Sequence, residues 1–520
     1  MIIIDNTQTH EQHDVEAVNS AKRRQQPLYA ARRKVFPKGA EGHFRRFKWL
    51  VMAITLTIYY VTPWLVWDRG PYAPNQAVLL DLANRRFYFF FIEIWPHEFY
   101  YVAGLLVMAG VGLFLITSTV GRAWCGYACP QTVWVDLFMA VERAIEGDRN
   151  ARIKLDAAPW SAAKLTKRIF KHGIWLIIGA ATGGAWIFYF ADARTLAADL
   201  VTLDAPAIAY FTIAILTATT YTFGGLMREQ VCTYMCPWPR IQAAMLDEHS
   251  LTVTYNDWRG EPRGKAAKKT TSGKSVGDCV DCNACVAVCP MGIDIRDGQQ
   301  LECITCALCI DACDSVMDKL GRERGLISYA TLSDYSTNMG VAQDANGAIH
   351  PERVRGAGRG FVEAIRTTNW RSVLRPRTLV YFVIWAAIGL AMLAALSLRP
   401  SVGLNVLHDR NPLYVMLADG SIQNGYDIKL LNMTTQPRDL VLTLEGLPGA
   451  TMTGPGVAEE PTRELHVTVE PDVVLALRVY VRSPAGELAS KSDFVMTVTA
   501  ADGTATASAG VHFEAPEEQQ

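Results

Sequence analysis

Cys279-Val-Asp-Cys282-Asn-Ala-Cys285-Val-Ala-Val-Cys289-Pro290 is followed, a short stretch later, by Cys303-Ile-Thr-Cys306-Ala-Leu-Cys309-Ile-Asp-Ala-Cys313. The two runs share one spacing. A cubane cluster needs four thiolates converging on its irons. A tight loop supplies three of them, and in two-cluster ferredoxins the last cysteine of each run ligates the other cluster. The pattern therefore predicts a ferredoxin-like domain over about residues 270–325 with two 4Fe–4S clusters. Cys279, Cys282, Cys285 and Cys313 would hold one cluster, and Cys303, Cys306, Cys309 and Cys289 the second. Zinc also binds C-x2-C pairs, but zinc has no need of this pattern twice. The second run has Asp314 where the first has Pro290, so its loop need not copy the first loop's shape.

Outward from this block, the remaining four of the twelve cysteines form two similar pairs. They are Trp124-Cys125-Gly-Tyr-Ala-Cys129-Pro130 and Val231-Cys232-Thr-Tyr-Met-Cys236-Pro237. No cysteine falls in the first 124 or the last 207 of the 520 residues. Such local use implies chemistry, whereas a secreted disulfide scaffold spreads its cysteines through the fold. The chain is 50% hydrophobic and only 19% charged, against about 25% for soluble proteins. That balance implies a membrane protein with sizeable soluble parts. A net charge of −1 offers nothing to nucleic acid.

A membrane-crossing helix needs about 20 mostly apolar residues. Five stretches qualify: Phe47–Trp67, Phe99–Thr119, Gly173–Phe190, Pro206–Met227 and Leu379–Leu398. The last four carry no Asp, Glu, Lys, Arg or His. Gly179 and Gly183 give the third a small-xxx-small face for close helix packing. Lys and Arg number nine in residues 1–46, three in 68–98, eight in 120–170 and one in 191–205. The positive-inside rule then predicts an inner N-terminus and an outer C-terminus. Residues 1–46 lack the short apolar core of a signal peptide. This topology puts every cysteine on the inner, reducing side or at its membrane boundary, where thiols stay available to metals.

The expected organisation is an α-helical membrane protein with five spans. Residues 1–46 form an inner segment, 47–240 hold four spans and both cysteine pairs, and 241–378 form an inner region carrying the ferredoxin block. Residues 379–398 are the fifth span and 399–520 an outer domain. A flexible linker is expected from Arg259 to Lys274, and a tail after the block includes Gly325-Leu-Ile-Ser-Tyr329. In the outer domain, Leu440, Leu442 and Leu444 alternate along the chain. So do Leu465, Val467 and Val469, then Leu475, Leu477, Val479 and Val481, then Phe494, Met496 and Val498. Turns are expected at Gly446-Leu-Pro-Gly449 and Ser483-Pro-Ala-Gly486. Short alternating strands at this spacing predict an immunoglobulin-like β-sandwich, which shows no catalytic constellation.

Each C-x-Y-x-C-P pair follows a predicted span. On a helix, residues i and i+4 share a face, and proline after the second cysteine fits a helix break or restart. Three readings of these thiols stay open from spacing alone: buried structural cysteines, a third cluster on all four, or a soft-metal site. Thiolate selects Cu(I), and Met235 adds a thioether. Transport is disfavoured, since the last four stretches lack the ionisable residues that line ion paths. Haem is disfavoured because no span holds a histidine; His97 and His172 near span ends read as interfacial residues. No Rossmann or flavin motif names the electron donor.

Paired C-x-Y-x-C-P motifs after spans, a double ferredoxin block and an outer β-sandwich together resemble the FixG/RdxA/CcoG proteins, accessory proteins for assembly of cbb(3)-type cytochrome c oxidase. The spans and pairs alone are also similar to the NapH and NosR membrane ferredoxins. The resemblance implies a cupric reductase of the bacterial inner membrane, with a cytoplasmic ferredoxin domain and a periplasmic C-terminal domain. It implies Cys125, Cys129, Cys232 and Cys236 as the copper-binding and reacting residues, fed by the eight ferredoxin cysteines. The partners it implies are a cytoplasmic electron donor and copper chaperones or oxidase assembly factors, with homo-oligomers possible. An electron-transfer subunit of another membrane complex and a redox-sensing scaffold are the competing expectations.

Overall fold

The computed structural model describes residues 34–71, 73–264, 277–344, 349–350, 353–354, 374–434, 436–471, 473–484 and 491–516. The expected basic segments at Lys22-Arg23-Arg24 and Arg32-Arg33, most of the expected linker, and Ala485-Gly486 of one expected turn lie outside the described residues. The chain divides into two compact units. One comprises residues 1–65 and 78–390, the other 66–77 and 391–520.

The first unit opens with helices α1 (His43–Val61), α2 (Tyr100–Val120), α3 (Pro130–Glu146), α4 (Arg149–Ala157), α5 (Ala162–Ile187), α6 (Ala193–Thr202), α7 (Ala207–Thr220) and α8 (Trp238–Met245). Among the described residues, three helical stretches are long and apolar enough to cross a membrane: Pro96–Val120, Ala207–Met227 and Pro376–Ser397. They cover the second expected span, and the fourth and fifth but for one end residue each. The first and third expected spans fall in α1 and α5, whose first two turns carry Arg45, Arg46 and Lys48, and Lys164, Lys167 and Arg168. These charges shorten the apolar part of both helices. Helix α1 also ends at Val61, so the expected span to Trp67 does not continue as α-helix. Between α1 and α2, a three-stranded antiparallel meander, β1 (Val78–Asp81), β2 (Arg86–Phe89) and β3 (Ile92–Ile94), is a feature the sequence reading did not anticipate.

Helix α5 packs on α7 through the small-residue face. A Cβ added to Gly179 would lie 3.2 Å from the Thr217 carbonyl, and one on Gly183 3.0 Å from that of Ile213, which makes the pair antiparallel. Tyr59 and Tyr60 near the end of α1 meet Thr182 near the end of α5, so those two helices run the same way.

Helix α3 ties the basic ends of these helices together. Its buried Asp136 takes the Arg45 guanidinium at 2.8 Å. Its buried Glu142 takes Arg152 at 3.0 Å, Arg228 at 2.8 Å and Lys171 at 3.3 Å. Glu146 takes Lys171 at 2.8 Å. Lys48, inside the expected first span, is buried 4.0 Å from Asp136. Charges removed from water persist only when paired, so this network fixes where α1, α5 and the end of α7 meet.

The cysteine block folds on a two-stranded antiparallel sheet, β4 (Thr252–Tyr255) with β5 (Ile327–Ala330). A short α9 (Asp257–Gly260) follows β4. Helices α10 (Ala284–Val288) and α11 (Leu308–Lys319) follow the two cysteine loops, and α12 (Leu332–Ala342) follows β5. Val253, Val280, Val286, Ile310, Met317 and Ile327 form the core beneath them. The last helix, α13 (Pro376–Ser397), runs antiparallel to α2. Phe114 faces Tyr381 at 6.1 Å between ring centres, and Met108 lies against Gly389.

In the second unit, strands β6 (Val402–His408), β7 (Val415–Met416), β8 (Ile422–Asn432), β10 (Thr451–Gly454), β11 (Ala458–Thr462) and β13 (Val474–Ser483) form one sheet in the order β11-β10-β13-β8-β6, with β7 on β8. Strands β9 (Arg438–Glu445), β12 (Glu464–Val469), β14 (Lys491–Ala500) and β15 (Thr506–Glu514) form the other, in the order β12-β9-β14-β15. Leu440, Leu442, Leu465, Val467, Val479, Val481, Met496 and Val498 are buried in one core shared by both sheets, so the alternation read from sequence marks the inner faces. Gly446 (φ 94°) and Gly449 (φ 67°) turn the chain between β9 and β10, in a backbone region open mainly to glycine.

Candidate iron–sulfur and thiolate site

All twelve cysteines are unbridged thiols. In the ferredoxin block both loops carry left-handed residues at matching places. Asp281 (φ 54°) and Asn283 (φ 58°) in the first answer to Thr305 (φ 57°) and Ala307 (φ 60°) in the second. Such alternation turns successive backbone N–H groups into a concavity for negative charge. Backbone N–H groups of Ala284, Met291 and Thr305 bond the sulfurs of Cys282, Cys289 and Cys303.

The fold brings the eight thiols together in two crossed sets. Burial pushes the Cys313 thiol up, and the neighbouring Cys285, Cys282 and Cys279 push it further. Burial, then Cys306 and Cys303, push Cys289 up to about 12. Cys289, Cys303, Cys306 and Cys309 line one apolar pocket with Met291 and Ile304, and Cys285 of the other set reaches the same pocket. Buried thiols packed this closely cannot ionise together without a cation to offset them. The donor set, its nest of N–H groups and its repulsion fit resident metal clusters.

Asp314 does not distort the second loop. Helix α11 runs through it to Lys319, where proline would remove a helical hydrogen bond. The Asp314 carboxylate instead accepts the Gly325 N–H at 2.8 Å. In the first run the shorter α10 ends before Cys289, whose extended backbone (φ −69°, ψ 117°) leads into Pro290.

The two C-x-Y-x-C-P pairs depart from the expected α-helical face. Trp124–Ala128 and Val231–Met235 are each a π turn, with Cys129 N–H bonded to the Trp124 carbonyl and Cys236 N–H to that of Val231, both at 2.8 Å. Cys129 and Cys236 are extended. Pro130 then opens α3 as a first-turn proline, as expected for a helix restart. Ahead of each π turn the backbone kinks at the same place, four residues before the first cysteine. Gly121 has φ 62°, ψ −136° and Arg228 has φ 47°, ψ −113°. The second kink is a strained conformation for a side-chain-bearing residue. It is held by the Arg228–Glu142 ion pair.

The four thiols share one neighbourhood. Burial, Cys129 and Cys232 push Cys125 up to about 12, and burial, Cys129 and Cys236 do the same to Cys232. The Cys125 thiol donates to Gln242 Oε1 at 3.0 Å. Helix α8, which carries Gln242, was not read from the sequence as part of the site.

The first pair abuts the second ferredoxin loop. A Cβ on Gly126 would lie 2.7 Å from the Ile304 carbonyl and 3.1 Å from the Cys306 Cα, so only glycine allows this approach. The Tyr127 hydroxyl donates to the Cys306 carbonyl at 3.3 Å. Met291 and Ile304 line both the Cys289–Cys309 pocket and the one beside Cys232. A path of contacting residues therefore runs from the first cysteine set, through the second, to the membrane-edge thiols. His172 stands apart, bonded to the Tyr221 hydroxyl at 2.9 Å, and His97 packs beside Trp95. Gly126 was missed in the sequence, where its signal was its place inside a cysteine motif.

Residues 227–332 match a family model of a 4Fe–4S dicluster domain, and residues 102–146 a model of a 4Fe–4S binding domain. Residues 392–516 match the Ig-like fold at the C-terminus of FixG. The chain is similar to the nitrogen fixation protein FixG of Rhizobium meliloti (strain 1021), 68% identical over 92% of this chain and 92% of that one. The chain belongs to the FixG/RdxA family. Two further FixG/RdxA members are RdxA and RdxB of Cereibacter sphaeroides. RdxA is 53% identical over 89% of this chain and 92% of its own, and RdxB 56% over 85% and 90%. As a FixG/RdxA protein, the chain is a membrane-associated 4Fe–4S oxidoreductase with an Ig-like C-terminal domain. The 102–146 match contains only two cysteines, Cys125 and Cys129.

Proposed function

We propose that this protein passes electrons from a cytoplasmic donor, through two 4Fe–4S clusters, to the membrane-edge thiols, where Cu(II) is reduced to Cu(I) for assembly of a cbb(3)-type cytochrome c oxidase. The observation that carries this reading is the direct contact of the Cys125–Cys129 turn with the Ile304–Cys306 loop. Cys279, Cys282, Cys285 and Cys313 hold the first cluster, and Cys289, Cys303, Cys306 and Cys309 the second. When bound, the clusters supply one-electron transfer. Cys125, Cys129, Cys232 and Cys236 bind the substrate copper ion. Soft thiolates favour Cu(I) over Cu(II), so they make uptake of one electron by Cu(II) more favourable. The apolar surround of Met291 and Ile304 keeps water from the path, and Gly126 keeps it short.

The test is anaerobic, purified, full-length protein reduced with dithionite, freed of the excess by gel filtration and then given Cu(II), with a Cu(I)-specific chelator as reporter. About eight irons per chain, on the two-cluster pattern, and stoichiometric Cu(I) are expected. No Cu(I) above the protein-free control overturns the reading. A second reading is favoured by the 4Fe–4S match over Cys125 and Cys129: the four membrane-edge thiols hold a third cluster, and the chain serves as an electron-transfer subunit. That reading requires about twelve irons.

The protein lies in the bacterial inner membrane as five spans, the first within α1 and the others at 99–119, 173–190, 206–227 and 379–398, with the ferredoxin domain cytoplasmic and the Ig-like domain periplasmic. The shared direction of α1 and α5, opposite to α7, supports this count, as do the exposed Leu50, Ile54 and Ile58 on α1 and Ile174 and Ile177 on α5. Reporter fusions at about residues 300 and 450 are expected to sit on opposite sides of the membrane, as the positive-inside rule requires. One side for both would remove a span.

A further inference from the structure

Six arginines are buried among the described residues: Arg45, Arg122, Arg152, Arg228, Arg259 and Arg375. Five have a carboxylate partner. Arg45 pairs with Asp136, Arg152 and Arg228 with Glu142, Arg259 with Asp278, and Arg375 with Asp247. Arg122, 5% exposed, has none among the described residues. Its Nη1 donates to the carbonyls of Leu301 at 2.6 Å and Cys303 at 3.0 Å, while its Nε finds no acceptor. Asp247 and Glu248 line the same open cavity, but neither pairs with it.

A buried guanidinium without a counter-charge is costly. Besides those two carboxylates, the negative groups around Arg122 are sulfurs. Cys303 and Cys125 are the ones that offset the effect of burial on its charge. The backbone carries the same message, because the Arg122 carbonyl accepts the Gly126 N–H at 3.1 Å inside the membrane-edge turn. One residue thus joins the second ferredoxin loop to the first membrane-edge pair, by backbone on one side and by side chain on the other.

We propose that Arg122 is a positioning residue whose positive charge is the shared counter-ion of the second ferredoxin cluster and the Cys125 site, and that it raises the reduction potential of that cluster. The inference rests on the ligand sets proposed above. Adding an electron makes a thiolate-held cluster more negative, and a fixed cation beside it favours that state. Removing the cation disfavours it, while the first cluster, whose ligands do not neighbour Arg122, is unaffected.

The test is an EPR-monitored redox titration of full-length protein, as wild type, Arg122→Gln and Arg122→Lys. Gln removes the charge and retains one donor; Lys retains the charge and loses the two-carbonyl fork. We expect Arg122→Gln to keep its iron and to shift one cluster's reduction equilibrium about tenfold toward the oxidised form, a midpoint lower by about 59 mV for one electron. The midpoint of the first cluster stays put, and Arg122→Lys restores most of the shift. Unchanged midpoints in Arg122→Gln overturn the proposal. If Arg122→Gln loses iron, Arg122→Lys decides: retained iron with a wild-type midpoint supports the charge role, and loss of iron there too reduces Arg122 to a structural tie. A wild type without two clusters would instead overturn the ligand assignment.

Discussion

Serine at both Cys129 and Cys236 is expected to abolish metal at the membrane edge and Cu(II) reduction with it, while the ferredoxin iron stays. These two cysteines are the extended residues that close each π turn, so they present their sulfurs from outside the helix. Serine is nearly isosteric, and Pro130 still opens α3. The fold should hold, yet two of four soft donors are replaced by hard oxygens, which Cu(I) disfavours. The ferredoxin thiols lie in separate sets, and none of their ligands is touched. Metal analysis and chelator-reported Cu(I) check the outcome. Normal copper binding by the double variant moves the site elsewhere. Loss of about a third of the iron, the share of one cluster in three, makes the four thiols a third cluster.

Glu142→Gln is expected to destabilise the membrane-associated unit by about 3–5 kcal/mol, the cost of leaving buried charge uncompensated. Glu142 faces Arg152, Arg228 and Lys171 in a setting closed to water. Lys171 keeps Glu146, but Arg152 and Arg228 lose their only carboxylate among the described residues. Arg228 then has less to hold its strained backbone four residues before Cys232, so the membrane-edge site should loosen before the ferredoxin block does. Thermal unfolding in detergent reads the stability, and metal retention at the two sites reads the order of loss. Burial alone would raise the Glu142 carboxyl, but Arg228, Lys171 and Arg152 outweigh it and hold the group at about 2 against an ordinary 4.5. A carboxyl lowered by folding stabilises fully above its unfolded value and loses that contribution as pH falls through the folded one. The gap between wild type and Glu142→Gln should therefore be widest above about pH 4.5 and close toward pH 2. An unchanged melting profile at neutral pH would mean that α3 is held by its apolar face instead.

The cysteine runs, by themselves, determined that the chain holds a two-loop cluster domain. Spacing is enough for that, because a tight loop can deliver three thiols to a cluster only at intervals of this kind. Strand alternation determined the Ig-like sandwich for an equally local reason: side chains on a strand point to opposite faces in turn, and Leu440, Leu442, Val479 and Val481 all land inside. The two glycines of α5 likewise announced a close helix contact, and Gly179 and Gly183 make one. What lay beyond the sequence was everything that depends on two distant segments meeting. The C-x-Y-x-C-P pairs read as helical faces, and they are π turns behind a backbone kink that Gly121 and Arg228 share with no common side chain. The spans of α1 and α5 were read from apolar length, yet Arg45 and Lys48 of α1 and Arg168 and Lys171 of α5 are held in place by carboxylates of α3. Gly126 and Arg122 have no local signature. Their roles come from the approach of residues 301–306, nearly two hundred positions away. Periodicity and ligand spacing are properties of neighbours in sequence, whereas a buried charge or a missing Cβ takes its meaning from whatever the folded chain packs against it.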